Sequence, residues 1–341
     1  MAASHAFNLP EAEGTQDFKM IDVGTKRPTK RRAIASGQIL MSRGAFTKLR
    51  EKSLPKGDPL PMAEIAGVLG VKKTPEILPM CHTLPIEQAL VQCVLDEQKT
   101  AVQVFGQVAT FGKTGVEMEA LMATNAALLT LWDLLKSTDP FLTITETRLL
   151  VKTGGKSGVW VNKDYTPEWL LEQLPPADKM AGKTAGVLVM SDRASQGVYE
   201  DASGQLLHKY LTENGADMPF YEIIPDEADR IETAIKEAVS THQPDVLFAC
   251  GGTGPGPRDV TPEVVEKTCD RMLDGLGELL RYESGYFTET AWLSRMTAGM
   301  AGATLVIALP GSAKAVKECI EIMEPFLGLA IERIAKQGYK K

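Results

Sequence analysis

The chain has 341 residues, 44% apolar and 24% charged, with a net charge of −7. That length suggests two domains, each able to bury its own core. No apolar run approaches the roughly 20 residues that cross a bilayer, which excludes a helical membrane protein.

Five cysteines, an odd number with no Cys-x-x-Cys spacing, argue for a reducing compartment and against a disulfide framework or structural zinc. Four histidines leave little for a His-rich metal site. The N-terminus lacks the apolar core of a signal peptide. A cytoplasmic chain with a disordered tail over residues 1–17 is expected. Residues 1–158 carry a net +3 and residues 159–341 a net −10. The basic excess lies within Gly-rich motifs, which suits small anionic ligands better than a nucleic-acid track.

In chain order, Phe18–Val23 and Ala33–Met41 read as strands. Ser42 can cap a helix running to Leu54. Pro61–Lys73 reads as a helix with Met62, Ile65, Ala66 and Leu69 on its apolar face. Ala89–Leu95 and Ala101–Ala109 alternate as a hairpin. Val116–Lys136 is a long helix and Leu142–Val151 a closing strand. The order βααββαβ implies an α+β domain of ferredoxin-like kind over residues 18–158. Residues 159–183 read as a linker with one short helix starting at Thr166-Pro167.

Residues 184–341 have another rhythm. Gly186–Met190, Asp245–Ala249 and Leu305–Leu309 are continuous apolar runs, as in strands buried on both faces. Helical patterns run around Leu206–Leu211, Ile231–Val239 and Leu276–Tyr282, and a last long helix covers Ala315–Ile334. This is a three-layer α/β domain, whose ligand should lie beyond the carboxyl ends of its strands.

The first domain concentrates chemistry in Lys56-Gly57-Asp58, Met80-Cys81-His82, Lys113 to Glu119, Asp133-x-x-Lys136 and Lys152 to Gly158. A P-loop fails at each Gly-Lys pair, because positions 107, 150 and 177 hold Gln, Leu and Ala where Gly is required. Asp133 and Lys136 share a helix face. A solvated surface pair is the bland reading of such a spacing. They end an almost uncharged helix, however, which favours a proton-transfer pair.

These motifs together resemble the cyclic pyranopterin monophosphate synthase family over about residues 18–158. The resemblance implies rearrangement of 3′,8-cyclo-7,8-dihydro-GTP with release of pyrophosphate, and no cofactor. It makes Asp133, Lys136 and Lys56 catalytic. It places Met80, Cys81, His82, Glu117, Met118, Glu119, Lys152 and Lys156 at the substrate. Departures from the family pattern are Glu64 where Arg is usual and Thr83 where Pro is usual.

In the second domain three loops follow predicted strands: Ser191 to Ser195, Gly251-Gly252-Thr253-Gly254 with Arg258 to Glu263, and Pro310-Gly311-Ser312. Asp226 sits in a fourth segment. Singly these are turns and helix caps. Together they gather glycines, hydroxyls and acids where a phosphate would dock.

They resemble the molybdopterin adenylyltransferase family. The resemblance implies ATP and Mg²⁺, with Asp226 and Asp259 as catalytic and metal-linked acids. Ser191, Asp192, Gly252, Thr253, Gly254, Gly311 and Ser312 then contact pterin or nucleotide. Ala313 stands where the family often has Pro.

The leading expectation is a bifunctional enzyme acting on pterin and nucleotide substrates, with no nucleic-acid or membrane partner. The alternative is a synthase whose second domain is a non-catalytic pterin-binding or assembly module. Retention of both Asp226 and Asp259 favours the first. The two resembled families share a threefold axis, which implies a homo-hexamer.

Overall fold

The computed structural model describes residues 19–155, 158–175 and 179–336. The expected tail at 1–17 and Lys156 lie outside these residues. The chain divides into two compact units between Leu174 and Pro175.

The first unit comprises β1 (Thr29–Leu40), α1 (Arg43–Arg50), α2 (Pro59–Ile77), β2 (Ile86–Asp96), β3 (Ala101–Gly112), α3 (Glu117–Leu135), β4 (Thr143–Thr153), β5 (Val159–Val161) and α4 (Glu168–Leu171). Its antiparallel sheet runs β2-β3-β1-β4-β5. The core between sheet and helices contains Ile39, Val104, Leu128 and Leu131, all fully buried.

Three expectations are corrected here. The segment before β1 is no strand: Asp22 Oδ1 accepts the Gly24 N–H at 2.7 Å, and this side-chain turn displaces extended backbone. The Met62, Ile65 and Leu69 stripe of α2 faces outward, each more than half exposed. The helix buries its small side instead, Ala63, Gly67, Gly70 and Thr74. A Cβ on Gly67 would stand 2.8 Å from the Ala123 carbonyl oxygen, so α2 and α3 touch backbone to backbone there. Finally, the expected linker is mostly domain. β5 pairs with β4, Leu170 is buried beside Ile34, Leu150 and Val151, and the Thr166 hydroxyl donates to Leu150 O at 3.0 Å.

The second unit comprises β6 (Thr184–Met190), α5 (Asp192–Ser195), α6 (Ala202–Glu213), β7 (Asp217–Ile224), α7 (Ala228–Glu237), β8 (Val246–Cys250), α8 (Thr261–Thr268), β9 (Arg271–Met272), α9 (Asp274–Ser284), β10 (Ala298–Ala301), β11 (Thr304–Leu309), α10 (Ala313–Met323) and α11 (Leu327–Ile334). Its sheet runs β7-β6-β8-β11-β10-β9, parallel through the first four strands and antiparallel at the far edge. One apolar cluster centres on Phe248, Val187 and Ile307, another on Leu188, Leu247 and Val306. These alternating residues bury both faces of the sheet, as the apolar runs required. The last helix expected over 315–334 is two helices, broken around Pro325, which cannot donate the helical hydrogen bond.

Candidate active sites

In the first unit the motif residues fall into two groups, at opposite ends of α3. At its C-terminal end Lys136 Nζ meets Asp133 Oδ1 at 2.6 Å, and Lys56 Nζ, from the loop before α2, donates to Asp133 O at 3.3 Å. The Lys136 hydrogen bond, then the charges of Lys136 and Lys56, hold the exposed Asp133 carboxyl below its ordinary range.

At the N-terminal end Lys152 Nζ on β4 pairs with Glu117 Oε1 at 3.1 Å. Glu119 is only 3% exposed, and burial raises its carboxyl. Burial, then the Glu119 charge, also raises the Cys81 thiol, so the Cys81-His82 bend belongs electrostatically to this end. Met80 and Met118 are exposed and His82 is half-buried. A cavity of about 40 Å³ here is lined by Arg31, Arg32, Glu117, Lys152 and the backbone of Gly115 and Gly154. Arg31, which motif reading passed over, ties the strand ends by donating to Gly112 O and Lys113 O. Glu64 accepts the Cys93 N–H at 3.0 Å and so caps the outer strand β2.

Glu117 and Asp133 lie sixteen positions apart along the helix, about 24 Å at 1.5 Å per residue. One chain therefore presents two half-sets of the expected residues, and its fold does not bring them together.

The second unit is the opposite case. Its motif loops follow β6, β7, β8 and β11, all at the carboxyl ends of parallel strands. A cavity of about 290 Å³ gathers Ser191, Asp192, Asp226, Gly252, Asp259 and Gly311. An adjoining one of about 560 Å³ shares Gly252, Asp259 and Gly311 and adds Thr253, Gly254 and Ser312.

Asp192 and Asp226 lock together: each backbone N–H donates to the other's carboxylate, at 3.0 and 3.1 Å. Burial raises the Asp226 carboxyl. Asp259 Oδ2 accepts the Gly256 N–H at 2.8 Å. Ser312 caps α10 and Ser191 caps α5, so both hydroxyls also have structural work. Gly252 has φ +60°, and a Cβ on it would sit 2.6 Å from Thr261 Oγ1. Only a bare backbone fits this turn.

Two further residues, Asp201 and Arg295, stand in runs (Ser191 to Asp201 and Leu293 to Arg295) that share the resemblance, but the sequence assigns neither a role. Asp201, 4% exposed at the start of α6, accepts Tyr221 Oη at 2.5 Å and lines the smaller cavity. Arg295 holds the glycine loop through Gly254 O and Asp259 O. The motif places Asp201, and the structure adds what it holds. Arg295 lies more than 30 residues beyond the loop it holds, and only folding reveals the contact.

An antiparallel α+β domain with two acid–lysine clusters, joined to an α/β domain with a glycine-loop site, defines a chain with separate sites for small anionic ligands. Two family models match: the MoaC family over residues 20–155 and a probable molybdopterin binding domain over residues 186–328. The molybdenum cofactor biosynthesis bifunctional protein of Synechococcus elongatus is 40% identical over 94% of this chain and 100% of its own length. The cyclic pyranopterin monophosphate synthase of Heliobacterium modesticaldum is 40% identical over 43% of this chain and 92% of itself. The molybdopterin adenylyltransferase of Helicobacter pylori is 43% identical over 44% of this chain and 86% of itself. The chain belongs to the family of molybdenum cofactor biosynthesis bifunctional proteins.

Proposed function

We propose that the first domain converts 3′,8-cyclo-7,8-dihydro-GTP to cyclic pyranopterin monophosphate and pyrophosphate, and that the second joins molybdopterin to AMP from ATP. The observation that carries the first half is the Asp133–Lys136–Lys56 cluster. A carboxylate hydrogen-bonded to one ammonium and flanked by a second is equipped to pass a proton during ring opening and closure. The other end of α3 supplies Lys152 and the Cys81-His82 bend for a polyanionic substrate.

The distance between these two ends supports a site built from two chains, and the outward apolar stripe of α2 offers contact area. We propose a homo-hexamer in which the Asp133 end of one chain meets the Glu119 end of another. The β2-β3-β1-β4 order with its paired helices supports a ferredoxin-like description of this domain.

In the second domain, Asp226 and Asp259 face one cavity, and the bonds described above use one oxygen of each. Burial already disfavours the Asp226 charge. Hard oxygens beside phosphates are what Mg²⁺ takes, so the residues present fit that ion. Among the described residues no three His, Cys, Asp or Glu groups form a ready-made cage, so ATP phosphates would complete the shell. Bound there, Mg²⁺ would neutralise phosphate charge. The Gly252–Gly254 backbone admits the phosphates closely, and Arg295 keeps that loop in place.

Among the described residues no helix is long and apolar enough to cross a membrane. All five cysteines are free thiols, which supports a cytoplasmic setting.

The purified chain should turn over both substrates, the second only with Mg²⁺ and ATP. Light scattering should give about six chain masses. Synthase activity without adenylylation would reduce the second domain to a binding module.

A further inference from the structure

Two arginines reach the phosphate loops of the second domain, and they are bonded in opposite ways. Arg295 is fully engaged. Its Nε donates to Gly254 O at 2.9 Å, its other nitrogens reach Asp259 O and the Glu263 carboxylate, and its backbone N–H donates to Thr253 O at 2.8 Å. It is a fixed post. Arg258 has a side chain 66% exposed, and the one ion pair described for it is with Asp192 Oδ2, at 2.7 Å.

Asp192 is itself pinned, because its other carboxylate oxygen accepts the Asp226 N–H. The guanidinium is therefore the member of the pair that can move. A solvated pair of this kind contributes little, so parting it costs little.

The charge of the cavity supplies the second observation. Asp192, Asp201, Asp226 and Asp259 line the 290 Å³ space, and among the described residues Arg258 is the only basic one that does. A phosphate entering beside four carboxylates needs a cation to meet it. The planar fork of a guanidinium matches phosphate oxygens two at a time.

We propose that Arg258 receives a substrate phosphate in the second domain, swinging to it from Asp192, which serves as its resting partner. Asp192 then competes with the phosphate for Arg258 and sets affinity, rather than holding substrate itself. This rests on the adenylyltransferase reading of the domain. The phosphate can be that of ATP or the monoester of molybdopterin, and the kinetics separate the two.

The test is Mg²⁺-dependent adenylylation by the full chain, with KM measured for each substrate. Arg258→Gln should raise one of the two KM values about tenfold or more, the loss expected for a charge-assisted contact, with Tm unchanged. The substrate affected identifies the phosphate. Asp192→Asn keeps an oxygen for the Asp226 N–H but frees Arg258, so it should lower that same KM. In the Arg258→Gln background Asp192→Asn should have no such effect. Unchanged KM values in Arg258→Gln overturn the proposal. So does an Asp192→Asn effect that persists without Arg258, since charge alone would then explain it. If the wild-type chain does not adenylylate, the reading of the domain fails separately. Calorimetric titration of the full chain with ATP and with molybdopterin then decides the matter: weaker binding to Arg258→Gln upholds the arginine's role, and equal binding ends it.

Discussion

The two domains place their reactive groups by different logics. In the α/β domain, sequence-distant loops converge because parallel strands all end on one side, so Ser191, Asp226, Gly252 and Gly311 meet around one cavity. In the α+β domain the groups gather at the two ends of one helix, and a rigid rod keeps those ends apart. The carboxyl ends of parallel strands assemble a site within one chain. A helix divides one, which is why we propose that a second chain supplies the other half.

The strongest challenge to that contrast is chemical. Asp133→Asn keeps shape and removes proton transfer, so pyrophosphate release should fall about 10²- to 10⁴-fold with Tm unchanged. Near wild-type turnover would remove Asp133 from the chemistry. Mixing subunits tests the division itself. Asp133→Asn and Glu119→Gln chains, each inactive alone, should regain about a quarter of wild-type activity when unfolded and reassembled together, because random pairing makes that share of sites whole. No recovery would mean that each chain holds a complete synthase site. The second domain should behave oppositely. Asp259→Ala should cut adenylylation while cyclic pyranopterin monophosphate formation stays within experimental error, since remote sites act independently. Loss of both activities would point to misfolding.

A smaller effect concerns Asp226. Burial raises its carboxyl, so the ionised form is the disfavoured one in the folded chain. Stability tied to this group is present at low pH and lost as pH rises through the raised value. Asp226→Asn should therefore raise Tm at pH 7 slightly, the gain being limited because the side chain is only partly buried. The gain should shrink as pH falls into the carboxylate range. A lower Tm at pH 7 would contradict it.

Much of this was legible in residue order. The long Ala-rich helix α3, the hairpin β2–β3 and the buried strands β6, β8 and β11 follow directly from periodicity. β7 was not seen, because Asp217, Pro219 and Glu222 interrupt its apolar pattern. β9 and β10 are too short to signal. The α2 stripe misled because bulk was taken for burial: Gly67 and Gly70 win the inner side by allowing closer approach. Motifs nominated the candidate residues of both sites, yet they could not show that Glu117 and Asp133 face different ends of a rod, nor that Arg295 braces the glycine loop.

The strand pairing of Val159–Val161 has a practical consequence for anyone dividing the gene. The two family models leave residues 156–185 unclaimed, which invites a cut just after Gly158. Such a cut would strip β4 of its outer partner and uncover Leu150, Val151 and Ile34, where Leu170 now sits at 3% exposure. Losing the Leu170 contact alone forfeits about 1.5–3 kcal/mol of burial, a large part of a small domain's margin. An expression clone of the synthase half should run to Leu174, and one ending at Gly158 should aggregate or melt several degrees lower.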